Sequence, residues 1–201
     1  MALKLILLGV LLLLAGCSEL PPQQPKDLCQ VFREKKDWYA ASHRAAATWG
    51  IAEPLLMATV AHESGYRAAV RPARTWYLGF IPGPRASDAY GYAQAREAAW
   101  RTYRKATGHV LAERDNFADA VDFVGWYDHL SVEQDGIAPD DAYRLYLAYH
   151  EGQGGYRRGS YRNKVWLMNI ARQVAASANR YALQLASCRQ QLEAHHWWNW
   201  L

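Results

Sequence analysis

Glycines close one helical pattern after another along this chain, and their spacing leaves few folds open. Apolar residues recur at helical period through 27–49, and Gly50 ends the stretch. Glycine adopts the left-handed conformation that terminates a helix without steric cost. Pro54 follows Glu53 in a first-turn position and opens a second helix, which runs to Ser64 and stops at Gly65. The same reading gives helices over 94–107, closed by Gly108, and over 116–134, capped by Asp115 and closed by Gly136. Asp140 caps another over 140–150, closed by the glycines of GQGG, and a last one spans 161–192. No stretch of any length alternates as a strand does. Pro72, Pro82 and Pro84 break the pattern over 65–90, which reads as an irregular insertion or lid rather than a regular element. The expected fold is all-α, one domain, with a long loop insertion at 71–89 that walls or covers whatever cleft lies beside it.

The two ends narrow the class further. Lys4 precedes an apolar run over 5–15, too short to span a bilayer and shaped like a secretory signal peptide. Leu14-Ala15-Gly16-Cys17 resembles the bacterial lipobox. That resemblance implies cleavage before Cys17, acyl chains on its sulfur, and a periplasmic, lipid-anchored protein. Ser18 points to the outer membrane of a Gram-negative bacterium. Residues 17–26, with their PPQQP run, read as a tether and 27–201 as the domain. With Cys17 acylated, Cys29 and Cys188 remain, either bridged or as two buried thiols; an exported context favours the bridge. A net charge of +4 without a basic cluster excludes a nucleic-acid arm but suits an anionic polymer or a membrane surface. Thirteen tyrosines and nine tryptophans exceed what a core of this size calls for, which tilts the reading toward carbohydrate.

The chemistry sits in VAHESGYR, residues 60–67. A zinc protease of the His-Glu-x-x-His type needs a second His four residues after His62, and that position holds Tyr66 beyond the Gly65 break. His150-Glu151 fails in the same way, because Gly154 stands where the second His belongs. No metal site and no cofactor is expected. Glu63 shares a helical stripe with Leu56, Thr59 and Val60 and lies at the C-terminal end of it. Burial and the negative end of the helix dipole both disfavour its charged form, so it suits a general acid.

Three motifs in order carry a family likeness. ESGY at 63–66 resembles the Glu-Ser motif of the soluble-lytic-transglycosylase (SLT) family, which has a goose-type lysozyme fold. YGYAQ at 90–94 resembles its Gly-Leu-Met-Gln motif through Gly91 and Gln94. AYHEGQGGY at 148–156 resembles its Ala-Tyr-Asn-Ala-Gly motif through Ala148, Tyr149 and Gly152. The resemblance implies that Glu63 is the catalytic acid/base, that Ser64 shapes the sugar site, that Gln94 lines the cleft and that the Tyr149 hydroxyl holds Glu63. Tyr92 and Glu151, beside the matched positions, join the candidate substrate-binding set. His150-Glu151 replaces the family's Asn-Ala and adds an ionisable pair.

The implied substrate is the glycan strand of peptidoglycan, cleaved between N-acetylmuramic acid and N-acetylglucosamine with formation of 1,6-anhydromuramic acid. Two rivals stay open: a lysozyme-type hydrolase using Glu151 or Asp88 as its second carboxylate, and a non-catalytic lipoprotein that binds wall glycan. A secretion or conjugation apparatus is a conceivable partner.

Overall fold

The structure, a computed structural model, describes residues 19–197, with side chains to 194. The leader and Cys17 lie outside the described residues. Among those described, seven helices and one two-stranded hairpin follow in the order α1 (Leu28–Glu34), α2 (Lys36–Trp49), α3 (Glu53–Ser64), β1 (Arg74–Tyr77), β2 (Ile81–Arg85), α4 (Glu97–Thr107), α5 (Phe117–Asp135), α6 (Ala142–Arg157) and α7 (Val165–Trp197). None of these helices is long and apolar enough to cross a membrane.

Gly50, Gly65, Gly108 and Gly136 each sit in the left-handed conformation just past a helix, as their spacing predicts. The details differ. The first helical stretch breaks at Lys35, whose ammonium lies 3.2 Å from Glu19. Asn116, not Asp115, caps α5 by accepting the Asp119 N–H, and Asp141, not Asp140, caps α6 by accepting that of Arg144. α6 does not stop at His150. It kinks at Gly152 (φ 73°, ψ 155°) and continues to Arg157.

α3 is the centre of the molecule. Leu55, Leu56, Met57, Ala58, Thr59 and Val60 are all buried, so the helix is covered on every side rather than along one stripe. α7 braces it at both ends. Arg189 lies 3.5 Å from the buried Glu53 carboxylate at its start, and Tyr181 contacts the hydroxyl of Tyr66 just past its end. α5 packs on α2, where the Trp49 indole N–H donates to Asp122 (2.8 Å) and its ring lies so close to Gly125 that a Cβ there would meet it at 2.6 Å.

Two regions depart from expectation. The segment from Glu19 to Lys26 is no free tether. Pro22 is buried, the Gln23 N–H donates to Glu34 (3.0 Å), Tyr181 donates to the Pro25 carbonyl, and Gln184 donates to the Lys26 carbonyl (3.1 Å). The insertion is not irregular either, because it contains the antiparallel hairpin β1–β2. Its turn at Leu78-Gly79 has positive φ at both residues, the primed form that matches strand twist. Pro82 and Pro84 are tolerated because a two-stranded hairpin leaves many backbone N–H groups facing solvent. All of β1 and β2 except Gly83 is exposed, so the hairpin projects and does not lie down over the helices.

Candidate active site

Glu63 is the penultimate residue of α3, two before Gly65 (φ 60°) turns the chain away. Its side chain is half-buried, at the foot of α6. Tyr146 on α6 donates its hydroxyl to Glu63 Oε1 at 2.8 Å. Burial pushes the Glu63 carboxyl up to about 7, against the opposing pull of the Tyr146 hydrogen bond. The carboxyl is therefore poised to exchange a proton near neutral pH. The same burial, with the nearby Glu63 charge, pushes the Tyr146 phenol far above its ordinary value, so it stays a donor. The His62 ring stands edge-on to Tyr146 with centroids 5.4 Å apart, and burial and then the His150 charge lower its pKa.

The likeness gives the contact with Glu63 to Tyr149; the structure gives it to Tyr146, one helical turn earlier. Tyr149 instead donates to the Ala93 carbonyl at 2.6 Å. Its ring stacks 6.4 Å from that of Tyr146 and packs on Phe123 and Tyr127. Burial and then the charge of Glu63 raise its phenol pKa. Tyr149 thus ties α6 to the loop that carries Gly91 and Gln94, while Tyr146 addresses the acid. The sequence held the signal: Tyr143, Tyr146 and Tyr149 recur every three residues, so Tyr149 has a tyrosine neighbour on the same face of α6.

The remaining candidates separate by geometry. Ser64 is buried and donates to the Val60 carbonyl of its own helix, 3.2 Å away. Tyr92 is fully buried, packs on Trp38 and Phe117, and donates to Glu19, so it belongs to the core and not to a cleft wall. Gln94 has φ 46° and donates its amide N–H groups to the carbonyls of Gly91 (2.8 Å) and Val70 (3.0 Å). Two carbonyl acceptors fix which way the amide points. Among the described residues nothing donates to its oxygen. Gly91 must be glycine: its φ is 82°, and a Cβ there would meet the Arg114 carbonyl oxygen at 1.9 Å. This turn and Tyr149 together hold residues 91–94 against α6.

Glu151 is no spare base. Its carboxylate accepts from Lys164 (2.6 Å), from Ser160 and from His150. Burial raises its pKa, but these three donors outweigh that and hold it at about 2. Asp88 is exposed, accepts from Arg96 and the Glu97 N–H, and is held below its usual range, chiefly by Arg96. Asp128 has both oxygens unpartnered, and burial pushes it up to about 8, but it is enclosed in α5. Among the described residues, Glu63 therefore is the carboxyl that could meet a substrate in a protonated form. Among the described residues no three His, Cys, Asp or Glu side chains gather as metal ligands. A pocket of about 580 Å³ between Glu19, Lys35, Trp38 and Phe117 shares no residue with this cluster.

No curated protein and no solved structure matches the chain. A family model described as "Transglycosylase SLT domain" matches residues 5–188, nearly the whole length and a span within which all three motifs fall. With the helical architecture around a half-buried Glu63, that match places the chain in the transglycosylase SLT domain family, with its lysozyme-like fold.

Proposed function

We propose that the protein is a peptidoglycan lytic transglycosylase in which Glu63 is both general acid and general base. The family points to transglycosylase action on peptidoglycan glycan strands. The observation that carries the finer reading is the Glu63 carboxyl, half-buried at a helix end, held by Tyr146 and raised to about 7. Protonated Glu63 donates to the oxygen bridging N-acetylmuramic acid and N-acetylglucosamine, and the C1–O bond breaks. The 2-acetamido oxygen stabilises the developing charge at C1. The Glu63 carboxylate then removes the proton of the muramoyl 6-hydroxyl as that oxygen bonds to C1. The proton has returned to Glu63, and the product carries a 1,6-anhydro ring. The scheme needs one carboxyl, whereas a hydrolase ordinarily uses a pair. The engagement of Glu151 with Lys164 and of Asp88 with Arg96 supports the one-carboxyl route. Mass spectrometry of muropeptides released from purified sacculi tests it: anhydro ends, one water lighter than reducing ends, are expected.

Tyr146→Phe should slow turnover about ten- to hundredfold without unfolding the protein, since a hydrogen bond to a charged group is worth ~1.5–3 kcal/mol. The pH profile carries a second sign. Only protonated Glu63 donates, so kcat/KM should fall as pH rises through about 7. Tyr146 favours the carboxylate, so its loss should move that limb to higher pH. A limb that stays in place would remove Tyr146 from contact with the acid.

We propose further that the mature chain begins at an acylated Cys17 and is held on the periplasmic side of the outer membrane, a reading supported by the lipobox resemblance. Cys17→Ala should abolish incorporation of labelled fatty acid; retained label would refute it.

A further inference from the structure

The hairpin is apolar where it meets solvent. Trp76, Tyr77, Leu78, Phe80 and Ile81 are between 44% and 82% exposed, and they lie together around its turn. Single exposed apolar residues are ordinary, but a contiguous group marks a surface built for contact. Leu78, the most exposed of the five, sits at the apex with φ 52°, a conformation that costs a leucine energy and presents its side chain away from the fold.

Charge narrows what meets it. Between Glu63 and Asp88 the chain carries Arg67, Arg71, Arg74 and Arg85 and no acidic residue. Arg74 and Arg85 donate to the carbonyls of Gly83 and Pro72, and Arg71 lies 3.9 Å over the Tyr90 ring. Those contacts leave the charges uncompensated, for none of the four is in an ion pair among the described residues. A sugar chain would need several hydrogen-bonding side chains between the rings, and over 76–84 (WYLGFIPGP) only the Trp76 indole N–H and the Tyr77 hydroxyl can serve. Aromatic and aliphatic residues at a tip, with arginines behind them, match the layered polarity of an anionic lipid surface. The position fits as well. Glu19, two residues after Cys17, accepts from Tyr92, and the neighbouring Gly91 N–H donates to Val70, where the chain departs for the hairpin. The start of the described chain and the hairpin thus converge on one stretch, 90–92.

We propose that the hairpin tip inserts into the interfacial layer of an anionic phospholipid bilayer, as a second attachment beside the N-terminus. The lipobox reading bears on which membrane is met, not on the insertion itself. Two points of contact fix the rotation of the domain about its anchor and so the direction in which Glu63 faces the wall.

The test is photo-crosslinking of the full chain carrying Leu78→p-benzoylphenylalanine, in vesicles of phosphatidylethanolamine and phosphatidylglycerol. The tryptic peptide spanning 75–85 should gain the mass of a phospholipid. In vesicles of phosphatidylcholine alone the yield should fall at least about fivefold, roughly the attraction of one arginine to an anionic surface. The same label at Phe80 should report the same contrast and guards against an effect peculiar to the strained apex. Equal yields in the two lipids, adducts to a second copy of the chain, adducts to added glycan strands, or no lipid adduct at either position would each overturn the proposal. None of these readouts depends on turnover, so they stand or fall apart from the role of Glu63.

Discussion

Glu63→Gln should reduce release of muropeptides by about 10²–10⁴-fold, the usual worth of proton transfer by a positioned side chain. The upper end is expected, because one residue serves both half-steps. The substitution is gentle on the fold. With its carboxyl raised to about 7, wild-type Glu63 is largely neutral in mildly acidic buffer, and a glutamine resembles that neutral acid in size and polarity. Its amide oxygen can still accept from Tyr146. Circular dichroism and the unfolding midpoint should therefore stay where they are while cleavage disappears. The product analysis must agree. If Glu63→Gln is inactive but the wild type releases reducing sugars, the acid is correctly assigned and the reaction is hydrolysis. Full activity in Glu63→Gln would remove the residue from the chemistry and leave the half-buried carboxyl without a purpose.

Much of this site is legible in the sequence because its determinants are local. Gly65 ends a helix by its own backbone freedom, and Pro54 begins it, so the position of Glu63 at the end of α3 follows from neighbours within one turn. Even there the periodicity understated the burial: α3 is enclosed all round, which a stripe of Leu56, Thr59 and Val60 does not reveal. What lies between elements is harder to read. Tyr146 and Tyr149 project from one face of α6, and which of them meets Glu63 depends on how α6 leans on α3, a property of packing that no single segment encodes. Tyr92 has the company of a motif and the fate of a core residue, because Trp38 and Phe117, distant in sequence, close over it. The hairpin escaped notice for a different reason. Its turn is Leu-Gly rather than Asn-Gly or Asp-Gly, and three prolines in and beside it argue against strands until the exposure of both edges is known.

The disulfide should have the largest effect on stability. Cys29 and Cys188 are bonded, with their Cα atoms 6.1 Å apart and a sequence separation of 159. A cross-link across so long a loop removes roughly 5 kcal/mol of chain entropy from the unfolded state, an upper value because real unfolded chains are already compact. Its place in the fold makes the loss consequential. α1 has only seven residues, and besides the bridge it is held to α7 by the Leu28 N–H donating to Gln184 and by Arg33 donating to Gln191. α7 in turn braces both ends of α3 through Arg189 and Tyr181, and Glu63 lies in the last turn of α3. In the double variant Cys29→Ala/Cys188→Ala the urea midpoint should fall by about 2 M, taking a slope of ~1–3 kcal/mol per molar. Well below the transition, glycan cleavage should survive, since neither sulfur touches Glu63 or Tyr146 and the bridge acts on the unfolded chain more than on the site. Equal midpoints for the variant and the oxidised wild type would mean that α1 is held by its hydrogen bonds and buried Leu28, Val31 and Phe32 alone, and that the bridge does not set the stability of the domain.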